Sequence, residues 1–142
     1  ALGCEKVQGQ FTSGTCSISQ MAAMEAIKAD PSVSFSMRDI FKKRRDLVLG
    51  LLKEIPGVKA NVPDGAFYVF PDVSYYYGKS YESYHIKNSY DLSIFLLMEG
   101  NIALVSGDGF GDDKCVRFSY ATSEDKLVEG IKRIKIALAK LK

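Results

Sequence analysis

Cys115-Val116-Arg117-Phe118-Ser119-Tyr120 alternates along its length and gives way, after Thr122-Ser123-Glu124-Asp125, to Leu127, Ile131, Ile134, Leu138 and Leu141 at spacings of three and four. The first pattern is that of a strand with one buried face, the second that of a helix with one buried stripe. Thr122-Ser123-Glu124-Asp125 offers the helix a capping-box start. A strand that runs straight into an amphipathic helix predicts helices packed on a small sheet. Working back toward the N-terminus, Ile102 to Val105 is a second strand signal, and Ser106 to Lys114 is a glycine- and aspartate-rich loop. Asp91 to Met98, apolar on most sides, predicts a short buried helix closed by Gly100. Val58 to Val62 and Ala66 to Val73 are rich in β-branched and aromatic residues and flank the turn sequence Pro63-Asp64-Gly65, so two more strands are expected. Before them a helix is predicted from Pro31 to about Ile55, ended by Pro56-Gly57, and another from Ser17 to about Ala29. The resulting order of helix, helix, two strands, helix, two strands, helix is α+β.

The 142 residues, 46% hydrophobic and 25% charged, have the composition of a folded domain, which excludes a disordered tail or a fibre. A net charge of +2 is too small to mark a nucleic-acid or membrane partner. His85 is the single histidine, and Cys4, Cys16 and Cys115 form no C-x-x-C pair, so no ordinary zinc ligand set can be assembled. Three widely spaced cysteines argue against a disulfide framework and fit a reducing compartment, the cytoplasm. The residues after Ala1 lack the basic and apolar regions of a secretory signal. With no initiator Met, the chain is expected to begin partway through a longer protein.

Several motifs carry possible chemistry. Ser106-Gly107-Asp108-Gly109-Phe110-Gly111 has the glycines of a phosphate loop but leads into a strand with G-x-G-x-G spacing, which suits a structural turn better than a dinucleotide site. Gly78-Lys79-Ser80 lacks the earlier glycine of a P-loop, because Val73 stands there. Tyr75, Tyr76, Tyr77, Tyr81 and Tyr84 lie in a polar segment with no persistent period, expected to be an exposed loop bordering a pocket. Lys42-Lys43-Arg44-Arg45, interleaved with acids, reads as a solvated helix face. Arg117 stands within an otherwise apolar strand. It is either a solvent-facing residue or a guanidinium held for a two-point bond to a carboxylate.

Taken together, Pro63-x-Gly65-Ala66-Phe67-Tyr68 with Phe70-Pro71, the block Asn101 to Gly111, and Val116-Arg117-Phe118-Ser119-Tyr120-Ala121-Thr122-Ser123 resemble the C-terminal part of fold-type I pyridoxal-phosphate aminotransferases, the aspartate aminotransferase branch in particular. Gln8 to Gln20 is similar to the segment that follows the family's cofactor lysine. The resemblance runs in order over essentially the whole chain. It implies that residues 1–30 end a large cofactor-binding domain and 31–142 form the C-terminal small domain. It implies that Arg117 grips the substrate α-carboxylate and that Phe110 lies on an active-site loop, with Ser106 in place of the family's usual proline. It also implies that Thr12 or Ser13 approaches the cofactor phosphate of a partner subunit in a homodimer. The cofactor would be pyridoxal 5'-phosphate, the substrates an amino acid and a 2-oxo acid. Nothing here matches the family's lysine motif, so the Schiff-base lysine is expected before Ala1, and the chain by itself is expected to be inactive and not to hold the cofactor. The competing expectation is a stand-alone α+β binding or interaction module without chemistry.

Overall fold

A computed structural model describes residues 1–142, and these divide into two compact units, Ala1–Ser36 and Met37–Lys142. In the first, α1 (Leu2–Phe11) and α2 (Ser17–Lys28) are joined by a turn, and no side chain of either helix is buried. α1 has no counterpart in the sequence reading. Gly3 and Gly9 each lower helix propensity by about 1 kcal/mol relative to alanine, and no buried stripe offsets them. Asp30 Oδ1 accepts the Ser32 N–H at 2.9 Å, where α3 (Ser32–Leu52) begins.

The second unit is built on a three-stranded antiparallel sheet. β1 (Tyr68–Val69) comes first, followed by a 3-10 turn over Ser74–Tyr76 and the hairpin of β2 (Ser80–Tyr81) and β3 (Tyr84–His85). Then come α4 (Ser89–Gly100), β4 (Val105–Ser106), β5 (Val116–Ser119) and α5 (Glu124–Leu138). The sheet order is β1-β5-β4, so the Arg117 strand is central. Val116 and Phe118 point inward, where they join Val48 and Leu52 of α3, Leu92, Phe95 and Leu96 of α4, and the α5 stripe in one apolar core. All five stripe residues predicted from sequence are buried. The helices therefore cover one face of the sheet, giving the α+β arrangement expected.

Several local details differ from the sequence reading. Val58 to Val62 forms no strand; only Lys59 bridges Asp72, which in turn bridges Cys115. Of the five tyrosines expected in an exposed loop, only Tyr75 is exposed. Tyr76 is buried and its hydroxyl donates to the Pro56 carbonyl at 2.5 Å, while Tyr81 and Tyr84 set their rings edge-on to Phe95. The Ser80 backbone exchanges both hydrogen bonds with Lys142, which fixes this hairpin to the end of the chain. α4 runs through Gly100 and ends on Asn101, whose φ of 53° lies in the left-handed region that asparagine tolerates. Ser123 is the N-cap of α5 but makes no side-chain capping bond. Lys126, three residues on, has no acceptor to reach back, so a reciprocal box cannot form.

Candidate functional site

Because β5 is central and its inner face fills the core, Arg117 and Ser119 stand on the opposite, uncovered face. Tyr68 lies across from Ser119 and Val105 across from Arg117, and both are partly exposed there. The β1–β5 register continues past the strand through the Val116 N–H bond to the Pro71 carbonyl, which sets Phe70 across from Arg117. The guanidinium carbon of Arg117 lies 4.7 Å from the Phe110 ring centroid and 5.5 Å from that of Tyr68. Arg117 takes part in none of the chain's ion pairs. A half-buried cation on a rigid strand thus meets aromatic faces and no carboxylate. That leaves its planar array of donors open to an external anion.

The loop that brings Phe110 to this face is tightly tied. Residues 108–110 form a 3-10 turn closed by Gly111 at a φ of 86°. The Gly107 carbonyl accepts from Phe110 N–H at 2.9 Å and Asp112 N–H at 3.2 Å, and the Gly107 N–H donates to the buried Ser89 Oγ at 3.1 Å. Ser89 Oγ in turn donates to Asp113 at 2.8 Å. The Ser106 hydroxyl donates to the Asp108 carboxylate, and that bond, helped by the Gly109 N–H, holds the Asp108 carboxyl below the usual range. On the other side, Tyr120 anchors the segment before β1. Its N–H donates to the Phe67 carbonyl at 2.8 Å and its hydroxyl to the Ala66 carbonyl at 3.1 Å, while Arg45 donates to the Pro63 carbonyl at 3.0 Å.

Arg117 and Phe110, read separately in the sequence, meet on this face. Thr12 and Ser13 lie together in the first unit, both exposed. Thr12 caps α1 and its hydroxyl donates to the Gln8 carbonyl at 3.1 Å, and Ser13 takes a left-handed φ of 56°. Tyr68 and Phe70 entered the sequence analysis only as part of a motif, with no role at the site. Their two-residue spacing in a strand signal puts them on one face and was the available clue. Ser89, which supports the loop, carries no sequence signal. No group of three metal-ligating side chains is present, and no helix is long and apolar enough to cross a membrane.

Comparison with known proteins gives consistent relatives. The family described as aminotransferase class I and II matches residues 2–134. The bifunctional aspartate aminotransferase and glutamate/aspartate-prephenate aminotransferase of Petunia hybrida is 46% identical, over 98% of this chain and 30% of its own length. The aspartate aminotransferase of Pinus pinaster is 41% identical, over 98% of this chain and 29% of its own length. Among solved structures, the Rhizobium meliloti aspartate aminotransferase superposes with a TM-score of 0.88 at 39% identity, over 96% of this chain and 34% of that one. The chain spans about 30% of the length of the relatives it matches.

Proposed function

Since the chain belongs to the class I and II aminotransferase family, we propose that it is the small-domain portion, with the end of the large domain at residues 1–30, of an aspartate aminotransferase-like enzyme. That enzyme moves an amino group from an amino acid to a 2-oxo acid. Arg117 is the substrate-binding residue of this portion. The observation that carries the assignment is a guanidinium fixed on a central strand, stacked on rings and free of any acidic partner. A bidentate bond from Arg117 holds the substrate α-carboxylate at two points. A carboxylate held in this way cannot turn, so the remaining bonds at Cα take a defined direction toward the group that removes the proton. Thr12 or Ser13 contacts the cofactor phosphate of the partner subunit in a homodimer, a role supported by their exposed hydroxyls on a tight turn. The free cysteines support a reducing compartment such as the cytoplasm.

The family implies pyridoxal phosphate, but the side chains present do not make up a site for it. Schiff-base chemistry needs a lysine withdrawn from water beside a cofactor cavity. Here the lysines are exposed, apart from Lys79, which stacks 4.0 Å from the Tyr75 ring centroid, and Lys140, which pairs with Glu99 at 2.8 Å. The chain by itself is therefore proposed to be inactive. The test joins this chain to the Rhizobium meliloti aspartate aminotransferase in place of that enzyme's matching third. Amino transfer from aspartate to a 2-oxo acid by the joined protein, with none from the 142-residue chain, is the expected result. A specific aldimine absorbance band or transaminase activity in the isolated chain would overturn the proposal.

A further inference from the structure

Arginine side chains that must be held still are usually tied to a carboxylate, and such a partner would compete with an incoming anion for the same donors. An aromatic ring attracts the cation through its quadrupole while offering no oxygen acceptor. The Arg117 guanidinium, 4.7 Å from Phe110 and 5.5 Å from Tyr68, is held in this second way. Phe70 meets the Phe110 ring edge-on at 6.1 Å and limits its rotation. Phe110 itself is 50% exposed and stands outside the apolar core, so its ring is not there to fill the interior. Its backbone is nevertheless pinned through Gly107 and Ser89.

From this arrangement we propose that Phe110 is a positioning residue, whose ring, braced by Phe70 and helped by Tyr68, keeps the plane of the Arg117 guanidinium oriented with its N–H edges open to a substrate carboxylate. The inference rests on the reading of Arg117 as the carboxylate grip. An unrestrained arginine loses rotamer freedom each time it binds, and a prearranged one does not. The advantage lies in affinity rather than in fold stability.

The experiment uses the full 142-residue chain with ¹⁵N-labelled arginine, following side-chain Nε–H signals by NMR during titration with succinate at constant ionic strength. In the unaltered chain the Arg117 Nε–H proton is expected to be displaced upfield by the Phe110 ring and to respond to succinate. Phe110→Leu is expected to abolish the displacement and weaken succinate binding by about three- to tenfold, with an unchanged thermal midpoint. Phe110→Tyr should restore both. A Phe110→Leu chain that keeps the upfield position or the affinity overturns the positioning role. The underlying reading fails by a different route. If the Arg117 signal ignores succinate in the unaltered chain, or Arg117→Leu binds it as tightly, Arg117 is not the grip, whatever the ring displacement shows.

Discussion

Replacing Gly107 by Ala probes the loop that delivers Phe110. The backbone there has φ −82° and ψ −14°, which alanine adopts without strain, so any cost must come from space alone. A Cβ at this position would lie 2.2 Å from the Asp112 carbonyl oxygen and 2.3 Å from that of Cys115, where real contacts stay beyond 3.0 Å. Both obstacles are backbone atoms, and neither can swing aside as a side chain would. Forcing in a methyl group of this kind costs about 1–3 kcal/mol. The shift also strains the bonds from Gly107 N–H to Ser89 and from Phe110 and Asp112 N–H to the Gly107 carbonyl, at about 0.5–1.5 kcal/mol for each one lost. With one such bond broken, the expected destabilisation is about 3 kcal/mol. Urea unfolding followed by tyrosine fluorescence reads it directly, since the chain has eight tyrosines and no tryptophan. Gly109→Ala, where nothing lies within 4 Å of the added carbon, is the internal control and should stay within about 0.5 kcal/mol. A Gly107→Ala chain as stable as Gly109→Ala would refute the close-packed description of this loop.

Two further outcomes follow from titratable groups. Burial, with the neighbouring Asp112 carboxylate adding to it, pushes the Cys115 thiol up to about 11, while backbone bonds from Ser19 and Ile18 lower that of the exposed Cys16. Iodoacetamide at pH 7.5 should therefore modify Cys16 well before Cys115, and peptide mass spectrometry showing equal rates would contradict the burial of Cys115. Burial first, and then the Asp113 charge, pushes the Tyr77 phenol up to about 12. The unfolded chain ionises its tyrosines near pH 10. The folded state thus holds this proton more tightly, and its contribution to stability is complete below pH 10 and lost as pH rises to about 12. Urea midpoints should fall across that window; a flat profile would place Tyr77 in solvent.

The long-period elements were legible because their signals repeat. The stripe from Leu127 to Leu138 recurs over three turns of α5 and continues to Leu141 just past it, and every member is buried. Strands of two residues leave too few alternations to read, which is why the β2–β3 hairpin looked like a loop, whereas Val58 to Val62 has the residue types of a strand but pairs only through the Lys59 bridge to Asp72. The burial of Tyr76 is a tertiary effect. Its hydroxyl finds the Pro56 carbonyl twenty residues away, and no local pattern announces that. Within the candidate site, Arg117 stood out as a charge in an apolar strand. The rings that surround it come from β1 and from the loop before β5, and only the register of the sheet brings them together. The dependence of that loop on Ser89, 18 residues earlier, leaves no trace in composition or spacing.

The role of Arg117 is tested most directly by Arg117→Lys in the protein that joins this chain to the remaining two thirds of the Rhizobium meliloti enzyme, with kcat/KM for aspartate as the readout. Lysine keeps the charge but cannot form the planar two-point bond. Losing one charge-assisted hydrogen bond at about 1.5–3 kcal/mol lowers kcat/KM by roughly 10- to 150-fold, and that is the expected result. An unchanged kcat/KM would show that Arg117 does not hold the substrate carboxylate.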